Sequence, residues 1–375
     1  MTTFQLAAIH AKIPEDAPKE KDWSAFTVDD TFNDNKLEGY LCRSSNRFYG
    51  ALLLTYVNSE WQPQFIFCTP KLHYPVNKTG EWHFPKAQRV EAYTKLDGTN
   101  IFAYVYLYRN TPYQTFKTRQ TAVVSDTVLI PFKSLLLEVL DREKAMAFWR
   151  ATGKNLSFEL YGAKNPHLIN YSIPISLAYL FCVDSAGNVF PPSSHPWDGE
   201  CAEHKTIRSI NLAEEYKDHQ QQDENRLRPQ EDGTFMGSEG RVWYLLTEGM
   251  KWVMLKCKPH SIELIHWASG GIGRNVVTAT ALNAIESGPL TVEAVKTLLL
   301  EEFSEEQITK SSDRITSVVR EVIASIGFRD KVLSVYDTLG LSISGNKVET
   351  MRTLDKHFNK KEMKKVYSTL KLYRS

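Results

Sequence analysis

Cysteine is scarce, with five in 375 residues, at Cys42, Cys68, Cys182, Cys201 and Cys257. The number is odd and the spacing shows no pairs, which argues against a disulfide framework and for a reducing, cytoplasmic compartment. Cys201 and His204 lie close together, but no second ligand pair follows, so the sequence carries no zinc pattern. No run of about 18 uncharged apolar residues occurs, and no membrane-spanning helix is expected. The opening MTTFQLAAIHAKIPEDAPKE turns charged after a few apolar residues and does not read as a secretory leader. Excess charge is lacking as well. A formal net charge of +1 excludes a protein that coats polyanions with its whole surface, but not one with a local basic groove. No internal repeat or low-complexity tract is evident.

What is present is a globular composition, 42% hydrophobic and 24% charged, on a chain long enough for two or three domains. Residues 24–70 read as strands, with FYGALLLTYV and QFIFC separated by the turn-like NSEWQP. TPKLHYPVNKTGEWHFPK reads as a connector. NIFAYVYLYRN reads as a buried strand and KTRQTAVVSD as a further one. KSLLLEVLDREKAMAFWRATG has helical period, with Gly153 at the C-terminal cap. LSFELYG, SLAYLFCVD, SEGRVWYLL and KWVMLKCKP return to strands. Residues 185–235 read as a surface excursion with one short helix around INLAEEY. GGIGRN, at 270–275, lacks a following Lys-Ser/Thr and reads as a turn leading into a helix rather than a phosphate loop.

After Pro259 the period changes. TVEAVKTLLLEEF and ITSVVREVIASIG repeat apolar residues at helical spacing, the second expected to end on Gly327, and Ser304 with Gln307 forms a capping box. NKKEMKKVYSTLKLYR places Met363, Val366, Tyr367 and Leu370 on one face and lysines on the other. The expected fold class is α+β. It comprises a β-rich segment over 1–88, a central domain of antiparallel sheets flanked by helices over 89–260, and an all-helical segment over 261–375.

The chemistry concentrates around EAYTKLDGTN, residues 91–100. Lys95 precedes an Asp-Gly pair. A lysine has a reference pKa near 10.4, so roughly one in 10³ is nucleophilic at neutral pH, and a buried, cation-rich site raises that fraction. Lys256 and Lys258 alternate along a strand, project to one face, and are the expected cations. Glu159 and Glu239 sit in or beside strands otherwise poor in charge, where a carboxylate is costly unless paired or metal-bound.

The ordered set Lys95-x-Asp97-Gly98-x-Asn100, Lys117-Thr-Arg119, Phe158-Glu159-x-x-Gly162, Glu239-Gly240 and Lys256-x-Lys258 resembles the covalent nucleotidyltransferase superfamily. That superfamily holds the ATP-dependent RNA and DNA ligases and the mRNA capping enzymes. The resemblance covers roughly residues 90–260, and Asn100 with FELYG looks most like RNA ligases of the phage and RNA-repair type.

The resemblance implies a ligase-type adenylyltransferase domain in which Lys95 attacks the α-phosphate of ATP. A lysyl-AMP intermediate forms, AMP passes to an RNA 5′-phosphate, and a 3′-hydroxyl then attacks. It implies that Asp97 and Gly98 shape the loop, and that Asn100 and Arg119 contact ribose and α-phosphate. Glu159 would bind ribose or orient metal-bound water, Glu239 would engage Mg²⁺ or Mn²⁺, and Phe181 would stack on adenine. Lys256 and Lys258 would hold phosphates. Some RNA ligases carry an oligonucleotide-binding barrel ahead of this domain, which residues 1–88 could form. DNA ligases and capping enzymes usually place such a barrel after Lys-x-Lys, where this chain reads as helices. A non-catalytic nucleic-acid-binding protein on the same fold would not need the full residue set. The helical segment is expected to contact RNA or to pair two copies of the chain.

Overall fold

Helix α1 (Thr3–His10) leads into four strands, β1 (Trp23–Asp30), β2 (Asn35–Cys42), β3 (Leu52–Val57) and β4 (Glu60–Ile66). The computed structural model describes residues 1–44, 46–77, 80–126, 130–207, 211–230, 234–262, 272–286, 289–300, 303–342 and 347–373. The four strands pair only with their neighbours in sequence, in the order β1-β2-β3-β4. Tight connections such as Asn58-Ser59, both with positive φ (51° and 66°), turn each strand straight back on the last. An open antiparallel meander results. Among the described residues this sheet has four strands, against the five of an oligonucleotide-binding barrel.

Strand β5 (Ala87–Thr94) is followed by a hairpin of β6 (Thr99–Tyr108) and β7 (Thr111–Lys117). The strand expected over KTRQTAVVSD is thus displaced toward the N-terminus. Arg109 and Asn110 both take positive φ (49° and 64°), so a two-residue turn starts β7 at once and Lys117 ends it. The long helical pattern that follows divides into α2 (Phe132–Val139) and α3 (Arg142–Thr152). Asp141 interrupts it by accepting from the Lys144 N–H as an N-cap, and Gly153 closes α3 in the left-handed region, as the sequence implied.

Next come β8 (Asn155–Tyr161), β9 (Ser176–Val183), β10 (Val189–Phe190), β11 (His204–Lys205), α4 (Leu212–Glu224), β12 (Arg228–Pro229), β13 (Phe235–Met236), β14 (Arg241–Thr247) and β15 (Trp252–Cys257). Two sheets form the centre, ordered β10-β9-β8-β6-β7 and β11-β5-β14-β15. Helix α4 runs for 13 residues, longer than the short helix expected. It buries Glu215, Tyr216, His219 and Asp223, charges included, because they are paired. Glu215 lies 2.9 Å from His219, and Asp223 lies 2.9 Å from Arg241.

After Cys257 the described residues form only helices: α5 (Arg274–Glu286), α6 (Val292–Leu299), α7 (Glu305–Lys310), α8 (Ser312–Thr338), α9 (Lys347–Leu354) and α10 (Met363–Tyr373). GGIGRN does lead into α5, although Gly270 and Gly271 lie outside the described residues. The Ser304–Gln307 capping box forms as expected. Helix α8 does not end on Gly327 but runs on to Thr338. A glycine inside a helix costs only about 1 kcal/mol, and the apolar spacing continues through Val332 and Tyr336.

One core joins Ile101, Phe158 and Leu160 of the first central sheet to Val277 and Ala281 of α5 and Ile315 and Val319 of α8. A second joins Leu37, Leu52 and Leu54 of the meander to Tyr104, Tyr106 and Phe181. The far end of α8 packs with α9 and α10 in a separate core of Val332, Tyr336, Leu354, Phe358, Val366 and Leu370. Among the described residues no helix is long and apolar enough to cross a membrane.

Candidate active site

Lys95-Leu96-Asp97-Gly98 is the link that carries the chain from β5 of one central sheet to β6 of the other. The crossing is tight. The Lys95 N–H donates to the Gly240 carbonyl at 2.8 Å, and a Cβ at Gly98 would run into the Leu160 carbonyl oxygen. Gly240 has φ 132°, and a side chain there would strike the Cys257 carbonyl. Gly98 lets the loop close on the Leu160 backbone, and Gly240 lets the start of β14 close on the end of β15.

A cavity of about 340 Å³ opens at this junction. Lys95, Asp97, Gly98, Asn100, Arg119, Glu159, Phe181, Glu239, Lys256 and Lys258 all line it, so every candidate residue from the sequence is brought to one place. Asn100 comes from β6, Glu159 from β8, Phe181 from β9 and Lys256 from β15, while Glu239 precedes β14 and Lys258 follows β15. Lys117 does not reach the cavity. It is fully buried, its ammonium donating to the carbonyls of Gly50 at 2.9 Å and Thr118 at 2.8 Å, and burial lowers its pKa.

Glu239 is the electrostatic hub. Lys95 Nζ donates to its Oε2, and Lys258 Nζ lies 2.7 Å from its Oε1. Burial alone would raise this carboxyl, but Lys258 and Lys95 together hold it down at about 2. The sequence led to the expectation of cations directly around Lys95. In the structure a carboxylate stands between Lys95 and Lys258, and Lys256 lies over the Tyr74 ring at 4.3 Å. Burial, reinforced by Glu239, pushes Asp97 up to about 7. Burial also pushes Glu159 up to about 8, against the pull of Lys95. Asp97 and Glu159 are thus carboxyls whose charge is costly in this site, whereas that of Glu239 is paired.

Among the described residues, three cavity-lining side chains have a buried polar atom with no hydrogen-bond partner: Thr94 Oγ1, Asn100 Oδ1 and Arg119 Nε. Asn100 Nδ2 is committed to Ser157 Oγ and the Phe158 carbonyl, both at 3.0 Å. Orphaned buried groups beside an apolar wall of Tyr93, Phe181, Val242 and Tyr244 suit a ligand with both an aromatic part and polar edges. Among the described residues no three His, Cys, Asp or Glu side chains converge enough to hold a metal alone. A hard divalent ion bound by one or two carboxylates plus phosphate oxygens fits this donor set.

The sequence reading passed over several residues at the site. Lys71 and Tyr49 line the cavity from the meander side, and His167 from the far side. Helix α4 holds the lysine strand from behind, with Tyr216 Oη donating to the Lys256 carbonyl at 3.3 Å and Gln220 Nε2 to the Lys258 carbonyl at 3.0 Å. The sequence signal for α4 was the spacing 216, 220, 223, which puts these residues on one helical face.

No protein-family model matches the chain, and no curated protein matches it. Among solved structures, an archaeal ATP-dependent RNA ligase is similar at 15% identity and a TM-score of 0.51, over 87% of this chain and 82% of that one. A Naegleria gruberi RNA ligase with pyrophosphate aligns at 15% identity and a TM-score of 0.31, over 48% of this chain and 51% of that one. A mutant of it with ATP and Mn aligns at 9% identity and 0.32, over 64% and 96%. The archaeal structure spans most of both chains, and the likeness is one of fold.

Proposed function

We propose that this chain is an ATP-dependent RNA ligase that joins 5′-phosphate to 3′-hydroxyl RNA ends, with a role in RNA repair. The observation that carries the reading is the meeting of Lys95 with Glu159, Glu239, Lys256 and Lys258 in one cavity at the junction of two sheets. We assign adenylation to residues 89–260, with the flanking segments serving the RNA. Among the described residues after Cys257 the elements are all helices, which favours this reading over a DNA ligase or capping enzyme, for which the resemblance implies a β-barrel there.

In this reading Lys95 loses a proton to solvent, and its Nζ attacks the α-phosphorus of ATP while the bond to pyrophosphate breaks. Lys256 and Lys258 face the phosphate oxygens as charge moves onto them. Phe181 and Tyr244 wall the base, and Asn100 and Arg119 offer their unpartnered polar atoms to the ribose and α-phosphate. Glu239 and Glu159 would hold a divalent cation together with the phosphates, and that ion would supply further charge neutralisation. An RNA 5′-phosphate oxygen then attacks the lysyl-AMP phosphorus and releases the Lys95 amine, and the 3′-hydroxyl finally displaces AMP from the adenylated 5′-end.

The test is incubation with α-labelled ATP, GTP or NAD and Mg²⁺, followed by denaturing electrophoresis. Label on the protein from ATP supports the assignment. Label from GTP alone would point to capping chemistry, and no label from any nucleotide would refute covalent catalysis.

A further inference from the structure

The stretch Asn165–Tyr171 belongs to none of the motifs that led to the site, yet every second residue in it holds either the Lys95 loop or Thr99, the residue that follows it. Asn165 Nδ2 donates to Thr99 Oγ1 at 3.0 Å and to the Leu160 carbonyl at 2.8 Å. His167 Nε2 lies 3.4 Å from the same Thr99 hydroxyl. The Ile169 N–H donates to Asp97 Oδ2 at 2.7 Å, and the Asp97 N–H donates to Tyr171 Oη at 2.8 Å. The intervening residues turn the other way. The Phe235 N–H donates to the Leu168 carbonyl at 2.8 Å, and the Asn170 N–H to the Phe235 carbonyl at 2.7 Å. One edge of the stretch is therefore anchored to β13 while the other holds the loop.

We propose that Asn165–Tyr171 is a brace for the nucleophile, with Tyr171 a positioning residue that acts on Lys95 through Asp97. The role rests on the reading of Lys95 as nucleophile. Lysine has four rotatable bonds, and its attack on phosphorus must be in line with the departing pyrophosphate. The direction of the side chain is set by a short loop strung between two sheets. Fixing Asp97 by its N–H and its carboxylate at once removes the freedom of that loop next to Lys95. The Tyr171 ring is itself held edge-on against Tyr161, with centroids 4.8 Å apart. A misplacement of about 1 Å at a reacting atom can cost about 10²-fold in rate. Lys95 takes AMP from ATP and gives it up to the 5′-phosphate, and it has no part in the final joining. The brace accordingly matters to those first steps, the capture of AMP above all, and not to the later attack of a 3′-hydroxyl on adenylated RNA.

Tyr171→Phe tests this, because it removes the acceptor oxygen and keeps the ring. Three quantities are read: the rate of label transfer from α-labelled ATP to the protein, the KM for ATP in that transfer, and the sealing of pre-adenylated RNA. Tyr171→Phe lowers the transfer rate about 10- to 100-fold, with KM and sealing within about twofold of the parent. Asn165→Leu, which loses two of the bonds from the same edge, shifts the same step in the same direction. Sealing of pre-adenylated RNA also reports that each variant is folded. An unchanged transfer rate, or an equal loss in both reactions, would overturn the positioning role. No labelled adduct in the parent would instead remove the nucleophile reading, and the brace with it.

Discussion

Lys95 and Glu239 stand 144 positions apart in the chain and form an ion pair at the floor of the cavity. The same carboxylate also holds Lys258, at 2.7 Å. Removing its charge leaves two ammonium groups facing each other, with the lysine amines no longer registered. Glu239→Gln should lower the rate of lysine adenylation by at least about 10²-fold and stability by about 1–3 kcal/mol. Label transfer and denaturant unfolding measure the two effects. Transfer at the parental rate would remove Glu239 from the site.

Arg241 sits beside Gly240, and its Nε donates to Asp223 Oδ2 at 2.9 Å with both side chains almost fully buried. Breaking one partner of a buried pair typically costs about 3–5 kcal/mol, because the other charge is left unpaired. Asp223→Ala should therefore destabilise the fold by about that amount in urea titration. A loss below about 1 kcal/mol would mean that α4 does not secure β14.

Beyond the spacing 216, 220, 223, nothing in the local sequence marks this helix's weight. A Pro-, Gln- and Glu-rich region reads as surface until the partners of its charges are known, and Arg241 lies 18 residues from Asp223. Lys95, Glu159, Glu239 and the two strand lysines were legible because each is a chemical anomaly in its own local context. Asn165, His167 and Tyr171 were not, because their meaning lies in bonds that span 66 to 74 residues. The strands were legible from their apolar runs. The β7 start and the passage of α8 through Gly327 depended on backbone turns and on packing partners that local spacing does not encode.

The C-terminal helices divide between two cores, and truncations should reveal it. Val277 and Ala281 of α5 and Ile315 and Val319 of α8 pack in the same core as Phe158 and Leu160. Deleting residues 262–375 should therefore abolish folding and adenylation together. Deleting residues 339–375 removes α9 and α10, which share only the separate core at the far end of α8. That truncation should retain lysine adenylation within about threefold, measured by label transfer, since it leaves the cavity lining intact.

His167 should make stability fall in acid. Burial pushes it down from an ordinary 6.5 to about 4, so the folded protein keeps it neutral where the unfolded chain takes up a proton. Between pH 6.5 and 4 the unfolded state binds more protons, and stability declines as pH falls through that window. The decline from this group amounts to about 3 kcal/mol. The difference in unfolding free energy between the parent and His167→Gln should show this slope, with the titrating carboxyls common to both proteins cancelling. A pH-independent difference would contradict the assignment.

The central claim is that Lys95 is a covalent nucleophile, and separating the two halves of the reaction tests it most directly. Lys95 is needed to take AMP from ATP, whereas joining a pre-adenylated end requires an aligned 3′-hydroxyl and cations around the departing AMP. The measurement is the joining of 5′-phosphate RNA with ATP, set beside the joining of pre-adenylated RNA, by Lys95→Ala. The expected result is no protein–AMP adduct and no joining in the first reaction, with measurable sealing in the second. Joining of 5′-phosphate ends by Lys95→Ala at the parental rate would contradict the account.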